Sequence, residues 1–251
     1  MKRIIVAGGT SGIGLKTVEL LAESGAMVGV AGRNTAALEE LAARYPGRIV
    51  CERIDVTDAD APRLLRRLAD RTGGMDCYLH VAGIGFENEN LDAEKELRTL
   101  DTNAMGFTRM IDEAYRYFRD VNGGTGRIAA ITSVAGTNGL GLLASYSATK
   151  SYQQTYLRAL SQLASMNGLK IKFNDIRPGW VRTPLLAKGE KYPLLMDPGY
   201  AARRVVRAIE QGKRVAFIDW RWHVVCLLWR LIPDALWVRL PIRPGGLSGR
   251  G

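Results

Sequence analysis

The chain has 251 residues, 47% hydrophobic and 24% charged, with a formal net charge of +10. That length and balance suit one large α/β domain with a substantial core. Three scattered cysteines (Cys51, Cys77, Cys226), no Cys-x-x-Cys pair and two histidines (His80, His223) argue for a reducing compartment and against a disulfide framework or a zinc site.

The chain opens Met1-Lys2-Arg3 and runs into Ile4-Ile5-Val6-Ala7, an apolar run too short for a signal peptide. Lys2 to Ala7 reads as a buried strand. The loop Gly8-Gly9-Thr10-Ser11-Gly12-Ile13-Gly14 follows, then a helix from about Ile13 to Ser24. Ala26–Ala31 is a second strand and Thr35–Arg44 a helix stopped by Pro46-Gly47. Arg48–Ile54 is a third strand, ending at Asp55-Val56, and Asp58–Arg71 a helix with Pro62 in its first turn. Met75–Val81 is a fourth strand, ending at Ala82-Gly83, and Asp92–Phe118 reads as one long helix. Gly126–Thr132, Leu169–Ile176 and Arg214–Asp219 complete seven strands, separated by helices at Ser145–Asn167 and Tyr200–Gln211. Strands alternating with helices predict a doubly wound (Rossmann) domain over 1–219, its sheet parallel.

In such sheets ligands bind beyond the carboxyl ends of the strands. The glycine loop, Asp55, Gly83, Ser133 and Pro178-Gly179 all fall there. Glycines let the backbone approach a pyrophosphate, and a helix N-terminus offers free N–H donors. The end of the second strand carries Gly32-Arg33-Asn34 rather than the carboxylate that would bind the 2′-hydroxyl of NAD. Arg33 suits a 2′-phosphate, so NADP(H) is favoured over NAD(H). The bland alternative is a solvated arginine at a helix start. Asp55 and Val56 border the adenine in this reading, or Asp55 only enters a helix.

Tyr146 and Lys150 stand four residues apart, one turn along a helix that starts near Ser145. A cation held there would lower the tyrosine pKa; reaching neutral pH takes roughly 3 units, about 4 kcal/mol. A phenol tuned in this way exchanges a proton with an alcohol or ketone oxygen.

As a whole, the pattern resembles the short-chain dehydrogenase/reductase family over about Ile4 to Thr183. The residues that carry the resemblance are Ala7-Gly-Gly-Thr-Ser-Gly-Ile-Gly14, Asp55-Val56, Ala82-Gly83, Asn103, Ser133, Tyr146-Ser-Ala-Thr-Lys150 and Pro178-Gly-Trp-Val-Arg-Thr183. The resemblance implies that Tyr146 is the general acid/base and Ser133 hydrogen-bonds the substrate oxygen. It implies that Lys150 binds the nicotinamide ribose, that Asn103 holds a relay water, and that Val181 and Thr183 contact the carboxamide. It also implies a homodimer or homotetramer formed through the helices at 92–118 and 145–167. An NADP(H)-dependent oxidoreductase of a secondary alcohol or ketone is the leading reading; a non-catalytic NADP-binding sensor or scaffold is the alternative.

Two departures stand out. His80-Val81-Ala82-Gly83 replaces the family's Asn-Asn-Ala-Gly, and His80 reads as a packed residue rather than a catalyst. The C-terminus lacks the usual glycine-rich ending. From Ala201 onward lie ten Lys/Arg against three Asp/Glu, and four of the five tryptophans, Trp220, Trp222, Trp229 and Trp237. Pro233 should split 220–240 into two short helices. Tryptophan and arginine beside leucine suit an interfacial segment on anionic lipid; a subunit contact or a cover over the pocket fits as well. Nucleic acid ranks low, because the tail has no reader motif.

A lid is expected over 184–200, with Leu185, Leu186, Tyr192, Leu194, Leu195 and Met196 making an apolar mouth. Leu185 and Tyr192 are its candidate substrate contacts. Lid and tail together favour a hydrophobic substrate, such as a hydroxysteroid or long-chain 3-keto lipid. The extension 220–251 is not expected to be a separate domain. No apolar run approaches the ~20 residues of a spanning helix. The expected location is cytoplasmic, with the inner face of the membrane as a second address.

Overall fold

The structure, a computed structural model, describes residues 2–186 and 192–243. Seven strands form one sheet: β1 Arg3–Ala7, β2 Met27–Gly32, β3 Ile49–Arg53, β4 Cys77–His80, β5 Thr125–Ile131, β6 Lys170–Pro178 and β7 Val215–Ile218. They lie in the order β3-β2-β1-β4-β5-β6-β7, every pair parallel, as the alternating pattern predicts.

The strands read as apolar runs because helices cover both faces. Along β1, Ile4 and Val6 face one layer, packing with Val18 and Leu21 of α1 (Gly12–Glu23) and Leu38 and Leu41 of α2 (Thr35–Arg44). Ile5 and Ala7 face the other, with Leu65 and Leu68 of α3 (Ala61–Arg71). Such alternation follows from the two-residue period of a strand. Strand order reverses between β1 and β4, which opens a crevice at their carboxyl ends.

The segment expected as one helix over 92–118 is instead α4 (Ala93–Leu100), a π-helical turn (Asp101–Gly106) and α5 (Phe107–Asp120). Long-range contacts make the difference. The Asn103 side chain accepts from Ile84 N at 2.9 Å and donates to Ile84 O at 2.7 Å. Those bonds pin the helix to the loop after β4. Gly106 lets it pass close to β3's exit, where a Cβ would lie 2.9 Å from the Val56 carbonyl.

α6 (Ala144–Met166) carries the Tyr146–Lys150 pair, and α7 (Pro198–Glu210) starts two residues before its expected beginning. Asp197 accounts for that, accepting from Tyr200 N at 3.0 Å with Pro198 in the first turn. The tail forms α8 (Trp220–Leu231) and α9 (Asp234–Trp237), parted at Pro233 as expected. Trp222 and Cys226 of α8 join the same core as α1 and α7. Positions 187–191 of the expected lid and 244–251 of the extension lie outside the described residues.

Candidate active site

Strand ends converge on a cleft of about 800 Å³. At its floor, Gly8 has φ +85 and sits so close to β4's exit that a Cβ would fall 2.5 Å from Ala82 N. A Cβ on Gly14 would meet Gly8 O at 2.1 Å, and Gly12 has φ +53 with Thr183 directly against it. These positions admit only glycine. Ser11, at the N-cap of α1, makes no side-chain cap bond. The first-turn N–H groups of Gly12, Ile13 and Gly14 therefore remain donors at a helix N-terminus.

Arg33 at the exit of β2 is 60% exposed and lies 3.7 Å from Asp55 Oδ2. Asp55 Oδ1 accepts from Thr57 N at 3.0 Å and Thr57 Oγ1 at 2.8 Å. Burial works against that carboxylate, but the Thr57 bonds and Arg33 outweigh it and hold Asp55 below the usual range. Asn34 is committed elsewhere, its Oδ1 capping α2 through Ala37 N at 3.1 Å.

Gly8, Thr10, Ser11, Gly12, Ile13, Arg33, Asp55 and Val56 line one half of the cleft. Ala82, Gly83, Ser133, Tyr146, Lys150, Pro178, Gly179, Val181, Thr183, Leu185 and Tyr192 line the rest. Of the remaining predicted residues, Gly14 closes the glycine turn from below, Asn34 caps, and Asn103 braces the floor from behind Gly83.

Ser133 follows β5. Its Oγ accepts from Ala135 N at 3.1 Å, which leaves its own hydrogen to donate. Tyr146 lies in the first turn of α6, its ring flat against Gly85. Burial pushes its phenol above the ordinary value, partly offset by the Ser133 hydroxyl. The acidified phenol expected from the Tyr-x-x-x-Lys spacing is thus not a property of the protein alone. Lys150 Nζ stands 5.5 Å from the Tyr146 ring centre and donates to Ile131 O and Gln153 Oε1, each at 3.1 Å. Burial pulls its ammonium down to about 8, with Asp175 opposing.

His80 is packed, as expected. Its Nδ1 pairs with the Tyr78 hydroxyl at 2.9 Å, and burial, then the Lys150 charge, lower it to about 3.

The other half of the cleft is apolar. Trp180 packs on Tyr192 with ring centres 4.8 Å apart, and Trp222 and Trp229 from α8 form the back wall. Trp222 lies on Gly179, where a Cβ would be 2.0 Å from its Nε1. Trp237 of α9 donates to Gly139 O at 2.7 Å. One face of the tail therefore closes the pocket. The opposite face leaves Val224, Leu227, Leu228, Leu231, Leu236 and Val238 exposed.

Sequence reasoning gave no site role to Gly85, Trp180 or Gln153. For Gly85 and Trp180, proximity to Gly83 and to the Pro178-Gly179 turn was the available signal; Gln153 gave none until the facing helix was known.

The residues present fit a nicotinamide dinucleotide: glycines where any Cβ collides, helix N–H donors above them, and a cation at the exit of β2. Among the described residues no group of His, Cys, Asp and Glu could hold a metal ion. Residues 2–192 match the family model described as short chain dehydrogenase. An uncharacterized oxidoreductase of Mycobacterium tuberculosis is 30% identical, covering 92% of this chain and 94% of its own. The cis-4-hydroxycyclohexanecarboxylate dehydrogenase of Sinomonas cyclohexanicum is 31% identical over 85% of this chain and 87% of its own. A crystal structure of an actinorhodin polyketide ketoreductase variant with NADPH superposes with TM-score 0.75 at 24% identity, over 86% of this chain and 95% of that one.

Proposed function

The chain belongs to the short chain dehydrogenase family, and from that premise we propose that it reduces an apolar ketone, or oxidises the matching secondary alcohol, with NADP(H). The observation that carries the reading is one arrangement: Ser133, Tyr146 and Lys150 together on the wall of a cleft whose floor is the glycine loop and whose mouth is apolar.

The cofactor, when bound, supplies or accepts the hydride. The chain does the rest. The first turn of α1 and the glycine loop hold the pyrophosphate, and Arg33 holds a 2′-phosphate that NAD lacks. Lys150 would bind the nicotinamide ribose, and Val181 and Thr183 would contact the carboxamide. Ser133 Oγ donates to the substrate oxygen and stabilises the charge developing there. Tyr146 Oη delivers the proton to that oxygen. Burial keeps the phenol protonated at neutral pH, the form that ketone reduction needs.

The wall of Leu140, Leu143, Trp180, Trp222 and Trp229 supports a hydrophobic substrate of hydroxysteroid or 3-keto lipid size. The assay is loss of NADPH absorbance across a panel of apolar ketones. Tight cofactor binding with no ketone consumed would favour the sensor reading instead.

Two further features support association. Leu97, Leu100, Met105, Tyr152, Leu163 and Met166 are exposed on α4, the π-helical turn and α6, where a homodimer or homotetramer contact is proposed. The exposed leucines of α8 sit beside Arg230, with Arg239 after α9, which supports docking of 220–240 on anionic lipid. No described helix is long and apolar enough to cross a membrane. Co-sedimentation with phosphatidylserine vesicles should fall on Leu228→Asp with Leu231→Asp; equal recovery removes the membrane reading.

A further inference from the structure

Tyr146, Lys150 and Gln153 stand at i, i+4 and i+7 along α6, so one helix face carries all three. Gln153 is wholly buried. An amide buried so deeply must find partners, and this one finds two. Its Oε1 accepts from Lys150 Nζ at 3.1 Å, and its Nε2 donates to the Asn103 carbonyl at 2.8 Å. Chemistry sets the amide's orientation: an ammonium only donates and a carbonyl only accepts. Lys150 spends a second N–H on the Ile131 carbonyl. Its third is available toward Gly83 at the cleft floor, where a Cβ would sit 3.5 Å from Nζ.

We infer that Gln153 is a positioning residue of this site, its amide tying the Lys150 ammonium to the Asn103 carbonyl that the π-helical turn presents. The inference rests on the function proposed above. Family resemblance gives the link at Asn103 to a water; in this chain a side chain occupies that link.

The substitution changes the chemistry available. Water passes a proton by accepting one and releasing another. An amide doing the same would be left as its imidic tautomer. The bridge therefore fixes position and charge without conducting protons.

Other groups face Lys150 as well. Tyr146 lies beside it on α6. Asp175 of β6 favours its charge and is itself bonded to Arg177 and Thr132. His80 of β4 feels the Lys150 charge and stays neutral. Asp175 and His80 remain in place when only Gln153 is changed.

The test is the ¹⁵N NMR titration of Lys150 Nζ in the full-length protein without cofactor, assigned with Lys150→Arg. It needs no turnover, so it is independent of whether the chain reduces ketones, which Tyr146→Phe tests separately. Gln153→Leu removes a hydrogen bond to a charged group and should lower the Lys150 midpoint by about one pH unit. Gln153→Glu puts a carboxylate beside the ammonium and should raise it by about as much or more. In turnover, the alkaline limb of kcat/KM against pH should move the same way in each variant. Gln153→Met, of similar length, replaces the leucine variant if that one does not fold. A Lys150 midpoint unmoved in both directions, with only Tm lowered, would overturn the inference and leave Gln153 a packing residue.

Discussion

Gly85→Ala probes how tightly the site is assembled. Gly85 has no backbone need to be glycine, since its φ is not among the positive ones. Its role is space: a Cβ built there lies 2.5 Å from Tyr146 Cδ2 and 3.0 Å from Cε2. Ordinary carbon contact is about 3.5–4 Å, so the ring must retreat by about 1 Å or the loop after β4 must lift. The retreat is constrained, because Tyr146 sits on the first turn of α6 and the Asn103 side chain holds Ile84 beside the loop. A displacement of 1 Å in a reacting group costs about 10²-fold in rate. The assay is kcat/KM for NADPH-dependent ketone reduction, with Tm and NADPH affinity measured alongside. The expected result is a loss of about two orders of magnitude, little change in cofactor affinity, and a Tm within a few degrees of the parent. A fully active Gly85→Ala protein would refute the claim that Tyr146 works from the position in which it is seen.

Arg33→Asp should move cofactor preference from NADP(H) toward NAD(H). The lost charge-assisted contact is worth about 10–100-fold in NADPH affinity, and an unchanged NADPH/NADH ratio by fluorescence titration would remove Arg33 from the phosphate site. The Lys150 contribution to stability should rise from about pH 8 to 10.5, because the unfolded lysine keeps its proton over that window while buried Lys150 has lost it; buried Cys51 and Cys77, pushed up to about 11 and about 12, oppose it above about pH 9. In denaturant titrations the stability difference between wild type and Lys150→Met should grow in favour of wild type across that window. On the acid side, His80 takes no proton until about 3, whereas an unfolded histidine does near 6.5. Stability should therefore fall as pH drops through that window, at up to about 1.4 kcal/mol per unit. His80→Phe should lose this part of the acid sensitivity, and an unchanged acid slope would mean that carboxylates set it.

The strand ends were legible because each carries a residue type that strands avoid, such as Gly8, Asp55, Gly83 and Gly179, directly after a run that reads as a strand. The alternation of elements gave the parallel sheet, and Pro233 gave the break in the tail. The π-helical turn was not legible. Its 3.6-residue pattern continues unbroken through Asn103, and the distortion is imposed by Ile84 and Gln153, distant in sequence. Spacing also overstated the reach of Lys150. Helical geometry put the cation one turn from Tyr146, but it could not show that both groups are desolvated, and desolvation raises the phenol while it lowers the ammonium. The tail's composition announced an interface without saying which. Trp222 and Trp237 take the pocket side, and the leucines are left for another surface.

The central claim is that the Tyr146 hydroxyl delivers the proton to a substrate oxygen. Its most direct measurement compares wild-type and Tyr146→Phe proteins for NADPH-dependent ketone reduction, with NADPH binding followed in both. Unchanged cofactor affinity and a rate about 10²–10⁴-fold lower are expected. A Tyr146→Phe protein that binds NADPH normally and keeps most of its rate would contradict that claim.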